Sequence, residues 1–314
     1  MPVTKRLSRT VTKLADKMRV LILGGSGMLG HKLWQVFSPR FDTYVTFRRS
    51  ASTYTGNELF DHLRAISNVS AVDFETVSRA VDQVRPDVVV NGIGIVKQDA
   101  AAKDPVASIS VNALFPHRLA AVCGEVGARL IHLSTDCVFS GQKGNYSETD
   151  SPDPEDLYGR SKLLGELIGE NCLTVRTSMI GHELEGSHGL LEWLLSQNGG
   201  RVRGFKRAVF SGFVTPALAQ TLARIIIEYP RLSGIRHVAS QAINKFDLLS
   251  LVKNVYELNV EIEPDETVAC DRSLDGSLFE HETGIRAPSW PEMIVQMHED
   301  AKVYDQLRRV DAAR

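Results

Sequence analysis

Tyr158 and Lys162 are four residues apart in the segment YGRSK. On a helix this spacing places both side chains on one face. A phenol has an ordinary pKa of about 10, which is too high for efficient proton exchange at neutral pH. A neighbouring ammonium group favours the phenolate, so we expect Lys162 to lower the pKa of Tyr158. Such a pair could give a proton to a carbonyl oxygen during a ketone reduction.

A third group could join them, because Thr135 directly follows the apolar run RLIHLS (129–134). Its hydroxyl could polarise the carbonyl that Tyr158 reaches, while Lys162 could also hydrogen-bond the ribose of a nicotinamide cofactor that supplies the hydride. We therefore predict that Thr135, Tyr158 and Lys162 are catalytic, and that Tyr158 and Lys162 also contact the cofactor. Taken alone, the Tyr158–Lys162 pair is also compatible with an exposed helix pair that has no catalytic role.

A glycine-rich loop, GGSGMLG (24–30), lies between the first apolar run and the first helical pattern. Its glycines at 24, 27 and 30 would let the chain turn tightly and let a pyrophosphate approach the backbone at a helix N-terminus. The alternative is a strand-to-helix turn that binds nothing. At the first turn of an alternating α/β chain we favour a dinucleotide, with contacts from Gly24, Ser26, Gly27, Met28, Leu29 and Gly30.

The second apolar run ends in Arg48 and Arg49, with no acidic residue. NAD-selective folds usually place Asp or Glu here to accept from the ribose 2′-hydroxyl, whereas arginine can pair with a 2′-phosphate. We therefore expect NADP(H) rather than NAD(H). The alternative is two solvated surface charges.

Two further segments are predicted to contact the cofactor. Asp73 and Phe74 follow a short strand expected around Ser70–Val72, where the carboxylate could contact the adenine amine and the ring could pack on the base. Asp73 would equally serve as a helix N-cap, and both roles can hold. The end of the fourth apolar run adds three contacts: Asn91, Gly92 and Ile93.

The elements that must position these residues alternate along the chain. Short Val/Ile/Leu-rich runs predict strands at 19–23, 43–47, 87–91, 129–134, 172–176 and 235–239. Amphipathic patterns predict helices at 28–37, 75–84, 105–126, 157–169 and 216–227, with a kink at Pro116. This alternation predicts an α/β fold with a doubly wound parallel Rossmann sheet.

Beyond residue 178 the alternation loosens, which predicts a smaller, discontinuous C-terminal lobe. We assign 19–177 and 212–240 to a dinucleotide-binding domain, and 178–211 and 241–314 to a substrate-binding lobe. The tail from 241 is expected to mix helices with acidic loops. Residues 1–18 are basic and lack an apolar core, so we expect a disordered leader rather than a signal peptide, with a targeting sequence as the alternative.

Composition limits the classes of function. The 314 residues carry 36 Lys and Arg against 38 Asp and Glu, a net charge of −2, which disfavours a nucleic-acid binder. The chain contains no uninterrupted run of 18 apolar residues, so we expect no membrane span. Its four cysteines are 123, 137, 172 and 270; they lack metal-site spacing, so we expect reduced thiols, no metal and a cytoplasmic protein.

Several longer strings resemble one known group of enzymes. The glycine loop, the hydroxyl residue after the fifth strand and Tyr-x-x-x-Lys are similar to the extended short-chain dehydrogenase/reductase superfamily. STDCVFSG (134–141) and YGRSKLLGE (158–166) resemble two signatures of the dTDP-4-dehydrorhamnose reductase family. VRTS (175–178) and Val111-Asn112-Ala113 also fit that family, and the resemblance covers 19–240 well and the tail loosely.

The resemblance implies NADPH-dependent reduction of a keto group on a deoxysugar attached to a nucleoside diphosphate, with Thr135, Tyr158 and Lys162 as the catalytic trio. Asp136 and Cys137 are predicted substrate contacts. Cys137 stands where the family has tyrosine, and Ser140 stands where it has an acidic residue, so the identity of the sugar is left open.

Cations are also needed for the phosphates of such a substrate. The segment 199–213 is expected to be a loose basic loop, and its Arg203, Lys206 and Arg207 are our candidates, with a solvated basic loop as the alternative. By analogy with the superfamily, a homodimer would form through the helices 105–126 and 157–169.

Two other functions remain open. One is a nucleotide-sugar epimerase or dehydratase on the same fold, although a dehydratase typically carries Glu after the aspartate and this chain has Cys137. The other is a non-catalytic NADP-binding regulatory subunit, a role that some members of the family have.

Overall fold

The protein is described here by a computed structural model that covers residues 17–55, 59–186 and 188–312. Of the expected leader at 1–18, only Lys17 and Met18 belong to the described residues, and the rest lies outside them.

Seven parallel strands form the central sheet, in the order β3-β2-β1-β4-β5-β6-β10. The strands are β1 (Arg19–Leu23), β2 (Asp42–Thr46), β3 (Ala65–Ile66), β4 (Val88–Asn91), β5 (Arg129–Leu133), β6 (Cys172–Arg176) and β10 (Gly234–His237). The order reverses between β1 and β4, which opens a crevice at the carboxyl edge of the sheet. The predicted doubly wound Rossmann sheet is confirmed. The third strand lies at 65–66, so the prediction of a strand around Ser70–Val72 is wrong.

Helices cover both faces of this sheet. They are α1 (Gly30–Phe37), α2 (Ser52–Thr55), α3 (Phe74–Val84), α4 (Pro105–Ser108), α5 (Phe115–Val126), α6 (Leu157–Leu164), α7 (Leu190–Ser196), α8 (Thr215–Glu228), α9 (Lys245–Val255), α10 (Ser277–Thr283) and α11 (Trp290–Ala312). Alternate residues of β1 face opposite layers, because Val20 and Ile22 join the core with α1, α8 and α11, whereas Leu21 and Leu23 join the core with α3 and α5.

The long helical segment 105–126 is widened where Pro116 predicts a kink. Residues Ile109–Leu114 form a π-helical turn, in which the Phe115 N–H donates to the Ser110 carbonyl. Proline has no N–H to offer the carbonyl four residues earlier, at Asn112. That carbonyl instead lies against Gly165, where a Cβ would come within 1.9 Å of its oxygen. The helix α6 ends at Leu164, just before this glycine, rather than at the predicted residue 169.

By length and composition alone, this stretch (Pro105–Val126) is also apolar enough to cross a membrane, with 44% of its apolar window buried inside the protein. Core helices pass the same test, so the observation is weak evidence for a membrane span.

Outside the central sheet, β8 (Arg201–Phe210) pairs with β11 (Ile243–Asn244) and runs parallel to β12 (Glu261–Asp271). The prediction of a loose basic loop at 199–213 is therefore wrong, because most of this segment is β8. The prediction of acidic loops in the tail is wrong for the segment that forms β12. Each of these segments is a strand whose charges lie opposite those of its partner. Arg201 contacts Glu261 and Glu263 at 2.9 Å. Read separately, the two segments looked like solvated loops because each carries charges of mainly one sign. A short third sheet joins β7 (Met179–Ile180) and β9 (Phe213–Val214).

A buried ion pair fastens the chain after α6 to the sheet. Arg176 on β6 donates to both oxygens of Glu166 at 2.8 and 2.7 Å, and each side chain is 4% exposed. The Ser134 hydroxyl also donates to Glu166, at 2.6 Å. Because all three groups are removed from water, each depends on the others for its polar partners.

We predict that Glu166→Gln lowers the free energy of unfolding by about 3–5 kcal/mol, because the Arg176 charge stays buried without its partner. The exposed pair Arg224–Glu228 on α8, 2.8 Å apart, offers a matched control. Glu228→Gln should hardly change the free energy of unfolding, because this pair is exposed to water. Denaturant unfolding of the two variants measures both values, and equal small losses would contradict this account of the buried pair.

Candidate active site

The glycine loop turns so tightly that its backbone leaves no room for side chains at two positions. Gly24 has a φ of +88°, and a Cβ on Gly30 would lie 2.0 Å from the Gly24 carbonyl oxygen. Gly25, which the sequence analysis did not single out, is equally constrained, because a Cβ there would lie 2.3 Å from Val45. By contrast, Gly27 is exposed, and a Cβ there would contact only the Gly24 carbonyl oxygen, at 3.4 Å. The loop thus presents bare backbone at the start of α1.

The other predicted loop residues differ in what they can offer. Ser26 and Met28 are half-buried, whereas the Leu29 side chain packs into the core beneath the sheet. Leu29 can therefore contribute only its backbone to a ligand. The Thr46 hydroxyl accepts from the Gly24 N–H at 3.2 Å and holds the loop against β2.

Across the crevice, the segment after β4 forms the facing wall. A Cβ on Gly24 would lie 3.2 Å from Ile93 and 3.3 Å from Gly92. Asn91 is buried; its side-chain oxygen accepts from the Ile93 N–H at 3.0 Å, and its amide nitrogen lies 3.0 Å from His132 Nδ1. Asn91 therefore shapes this wall from beneath.

At the end of β2, Arg48 and Arg49 are both exposed. Arg49 lies 3.5 Å from Glu185, in a pair that is open to solvent. Exposed pairs of this kind contribute little energy, so Arg49 can exchange its partner for a phosphate.

Asp73 and Phe74 lie at the start of α3. Asp73 occupies the N-cap position, but its side chain makes no capping hydrogen bond, and it is exposed. The Phe74 ring is half-buried, with the Arg118 guanidinium 4.1 Å from its centroid. One predicted role for Asp73, side-chain capping of the helix, is therefore wrong.

The predicted catalytic residues converge at the carboxyl edge of β5 and the first turns of α6. Thr135 caps a short 3₁₀ turn (Asp136–Val138), accepting from the Cys137 N–H at 3.1 Å. Tyr158 lies in the first turn of α6, whose N-cap Asp156 accepts from the Gly159 N–H at 2.8 Å. The Thr135 hydroxyl donates to Asp136 Oδ1 at 3.2 Å, and it also acts on the Tyr158 phenol, whose pKa it lowers.

Lys162 lies deeper in the crevice, where it is 5% exposed. Its Nζ donates to the Leu133 carbonyl at 2.5 Å and would be 3.9 Å from a Cβ on Gly94. Burial lowers the pKa of Lys162 to about 8, against the opposing effect of Glu166. The lysine thus joins the facing wall of the crevice to α6.

The expectation that Lys162 lowers the pKa of Tyr158 is wrong for this arrangement. Burial raises the pKa of Tyr158 above its ordinary value, and Cys137 and Asp136 raise it further, while the Thr135 hydrogen bond lowers it. The reason is that the Lys162 ammonium is directed at Leu133, while acidic groups surround the phenol. Tyr158 is therefore protonated at neutral pH and holds the proton that a reduction needs, although the raised pKa makes it a weaker acid than a free phenol.

On the substrate side, Asp136 and Cys137 lie beside two cations that the sequence analysis missed. Arg272, just after β12, donates to Cys137 Sγ at 3.8 Å and to the Phe139 carbonyl at 2.9 Å. Lys245, at the start of α9, lies 3.9 Å from the Phe210 ring centroid. Burial raises the pKa of Asp136, and both cations oppose that shift. These cations lie far from Asp136 along the chain and outside any motif, so no sequence signal pointed to them.

The side chain of Cys137 is a neutral thiol here. Burial raises its pKa to about 12, with Asp136 adding to the shift, so it has little nucleophilic thiolate at neutral pH. Among the described residues, no group of three or more metal-ligating side chains comes together.

The predicted phosphate cations on β8 have other partners. Arg203 pairs with Asp265 at 3.2 Å, and Lys206 lies 5.5 Å from the Phe246 ring centroid. Arg207 is exposed. The structure therefore gathers Thr135, Asp136, Cys137, Tyr158 and Lys162 beside the crevice. Of the three β8 cations, Arg203 contacts β12 and Lys206 contacts α9.

Known proteins show related sequences and the same fold. A 44% identical match to dTDP-4-dehydrorhamnose reductase of Burkholderia thailandensis covers 34% of this chain and only 37% of that enzyme. The Escherichia coli dTDP-4-dehydrorhamnose reductase is 29% identical over 75% of this chain and 77% of its own length.

Among solved structures, a Bacillus anthracis dTDP-4-dehydrorhamnose reductase in complex with NADP superposes with a TM-score of 0.75. It is 22% identical and covers 90% of this chain and 99% of its own, so it supports the fold. The family model described as RmlD substrate binding domain matches residues 18–303. Because that match spans nearly all of the described chain, the protein belongs to the RmlD substrate-binding-domain family.

Proposed function

We propose that this protein is an NADPH-dependent reductase of a keto group on a nucleoside-diphosphate deoxysugar. The observation that carries the proposal is the convergence of Thr135, Tyr158 and Lys162 beside the glycine-lined crevice. Relatives named dTDP-4-dehydrorhamnose reductase support the substrate class.

The crevice residues fit a dinucleotide. The Gly24–Gly30 contact leaves bare backbone at the start of α1, where a pyrophosphate would find N–H groups and the positive end of the helix. Arg48 and Arg49 would hold a 2′-phosphate, and Lys162 would hold the nicotinamide ribose. The NADP bound in the Bacillus anthracis neighbour supports this choice of cofactor. Asp73, Phe74, Asn91, Gly92 and Ile93 remain our proposed contacts on the facing side.

The chemistry is divided among the three side chains. When bound, the reduced nicotinamide supplies the hydride. Tyr158, whose pKa is raised by burial, gives its proton to the carbonyl oxygen. The Thr135 hydroxyl donates a hydrogen bond to the same oxygen and orients the carbonyl, while the Lys162 ammonium would hold the nicotinamide ribose.

For the substrate phosphates we propose Lys245 and Arg272, because both lie within electrostatic reach of Asp136 at the catalytic edge. The β8 cations Arg203, Lys206 and Arg207 remain the competing candidates. In the same proposal, substrate binding belongs to 178–211 and 241–314, and dinucleotide binding belongs to 19–177 and 212–240.

We further propose a cytoplasmic homodimer. Several large apolar side chains are exposed on the segments 105–126 and 157–169: Val106 at 73%, Leu114 at 53%, Leu164 at 63% and Ile168 at 85%. An apolar face of this kind is typical of an interface between copies. The four cysteines are unpaired among the described residues, which supports a reducing compartment.

An epimerase and a regulatory subunit are the alternatives. An epimerase would return its cofactor unchanged and would show no net NADPH consumption. A regulatory subunit would keep its function without the Tyr158 hydroxyl.

The first test supplies NADPH and a dTDP-4-keto-6-deoxysugar, and follows NADPH absorbance together with the reduced sugar by mass. We expect stoichiometric consumption, and we expect Tyr158→Phe to cut kcat by about 10²- to 10⁴-fold because the proton donor is lost. The Kd for NADPH should hardly change. Turnover that survives in Tyr158→Phe would contradict the proposed proton donor, and a panel of keto sugars without turnover would contradict the reductase itself.

The second test concerns cofactor choice. Arg48→Ala with Arg49→Ala should weaken NADPH at least about tenfold, because charge-assisted bonds to the 2′-phosphate are lost. NADH binding should remain as it was. Arg224→Ala removes an exposed arginine far from the crevice and serves as the charge control. Equal losses for both cofactors would refute the 2′-phosphate role.

The third test separates the two sets of phosphate cations. Lys245→Met and Arg272→Met should each raise KM for the sugar nucleotide about tenfold or more, with little change in KM for NADPH. Arg203→Met should leave both values unchanged, since Lys245 and Arg272, rather than Arg203, are the cations that act on Asp136 at the catalytic edge. The opposite pattern would return the phosphate role to β8, and melting temperatures would identify any variant that is simply unfolded.

A further inference from the structure

Beneath the glycine loop, helices α1 and α11 meet through polar side chains that are almost completely buried. His31 and Lys32 are consecutive on α1, and Asp300 and Tyr304 lie one turn apart on α11. Lys32 Nζ contacts Asp300 at 2.5 Å, and His31 Nε2 lies 2.6 Å from the Tyr304 hydroxyl. His31, Lys32 and Tyr304 are 0%, 1% and 2% exposed. The C-terminal helix thus reaches the helix that carries the glycine loop.

The hydrogen bonds in this cluster have a defined direction. His31 Nδ1 lies 2.8 Å from the Gly27 carbonyl oxygen, which can only accept, so Nδ1 carries the proton. Burial lowers the pKa of His31 to about 3, so the ring is neutral and its Nε2 is an acceptor. At 2.6 Å the Tyr304 hydroxyl then donates to Nε2, and the Asp300 carboxylate, which also acts on this phenol, is the competing acceptor. A chain of two donated bonds therefore runs from Tyr304 through His31 to the backbone of the glycine loop.

Tyr304 also supports the segment that packs on the other side of this loop. Its ring lies 4.5 Å from the ring of His182, centroid to centroid, and His182 in turn contacts Glu192 at 2.9 Å. The chain that continues from His182 reaches Gly189, where a Cβ would come within 2.7 Å of Met28 in the glycine loop. Tyr304 therefore packs between α1, through His31, and the segment that begins at His182.

We propose that Tyr304 is a positioning residue for dinucleotide binding, acting through His31 on the Gly27 carbonyl. It would not touch the cofactor, but it would hold the loop in the conformation that presents its N–H groups. A loop that is already ordered loses less conformational entropy on binding, so its affinity is higher. This inference rests on the proposed dinucleotide site.

The test is Tyr304→Phe, which keeps the packed ring and removes only the donor. We expect the Kd for NADPH, measured by fluorescence titration of the full chain, to rise about fivefold. KM for NADPH should rise with it, while kcat should be unchanged. The matched control is Tyr256→Phe, whose hydroxyl lies 3.2 Å from His182 Nε2 in the same cluster without reaching the loop through His31. It should lower the melting temperature comparably and leave the Kd unchanged.

A double-variant cycle tests whether Tyr304 acts through His31. His31→Asn retains a donor near the Gly27 carbonyl but removes the acceptor for Tyr304. In that background, Tyr304→Phe should cause no further loss of NADPH affinity. Additive losses would overturn the route through His31, and an unchanged Kd in Tyr304→Phe would overturn the inference while the proposed function stands. Failure of the unaltered chain to bind NADPH would instead overturn the proposed function, and this inference with it.

Discussion

The close approach of the Gly24 carbonyl to the α-carbon of Gly30 is the contact on which the candidate site depends. A single added methyl group would lie 2.0 Å from that oxygen, so α1 could not begin where it does. Because the helix begins there, its N-terminus lies beside the crevice between β1 and β4. The facing wall at Gly92 and Ile93 then comes within van der Waals distance of Gly24. Everything else is arranged around this narrow crevice.

Burial determines the protonation states around the crevice more than charge pairing does. It lowers the pKa of Lys162 to about 8 and raises the pKa of Tyr158, even though the two side chains share one helix. The spacing of the pair in the sequence correctly suggested a common face. It could not indicate that the Lys162 ammonium would be directed at the Leu133 carbonyl, because that contact depends on how α6 docks against β5.

Local patterns in the sequence predicted the sheet and much of the site, because both depend on short motifs at strand ends. Apolar runs identified six of the seven central strands, and the glycine loop identified the crevice. The three-stranded sheet of β11, β8 and β12 was missed for a physical reason. The charges of Arg201 and Arg203 on β8 are balanced by β12, about sixty residues later in the chain. Long-range pairing of this kind leaves no periodic signal in either segment alone. Lys245 and Arg272 escaped notice for the same reason, since only the fold brings them to Asp136.

The same burial determines the form of Tyr158 from which the proposed reaction starts. Oxidation of an alcohol must begin with a base that accepts its proton, and a phenol whose pKa is raised above the ordinary value offers almost no phenolate at neutral pH. Reduction of a ketone begins instead with a proton donor, which is the form of Tyr158 that this environment favours. The acidic surroundings of Tyr158, at Asp136 and Asp156, keep the phenol in its donor form before substrate binds. Because an enzyme catalyses both directions of its reaction, a reductase and an epimerase on this shared fold differ in whether NADPH is consumed, not in the resting form of this phenol.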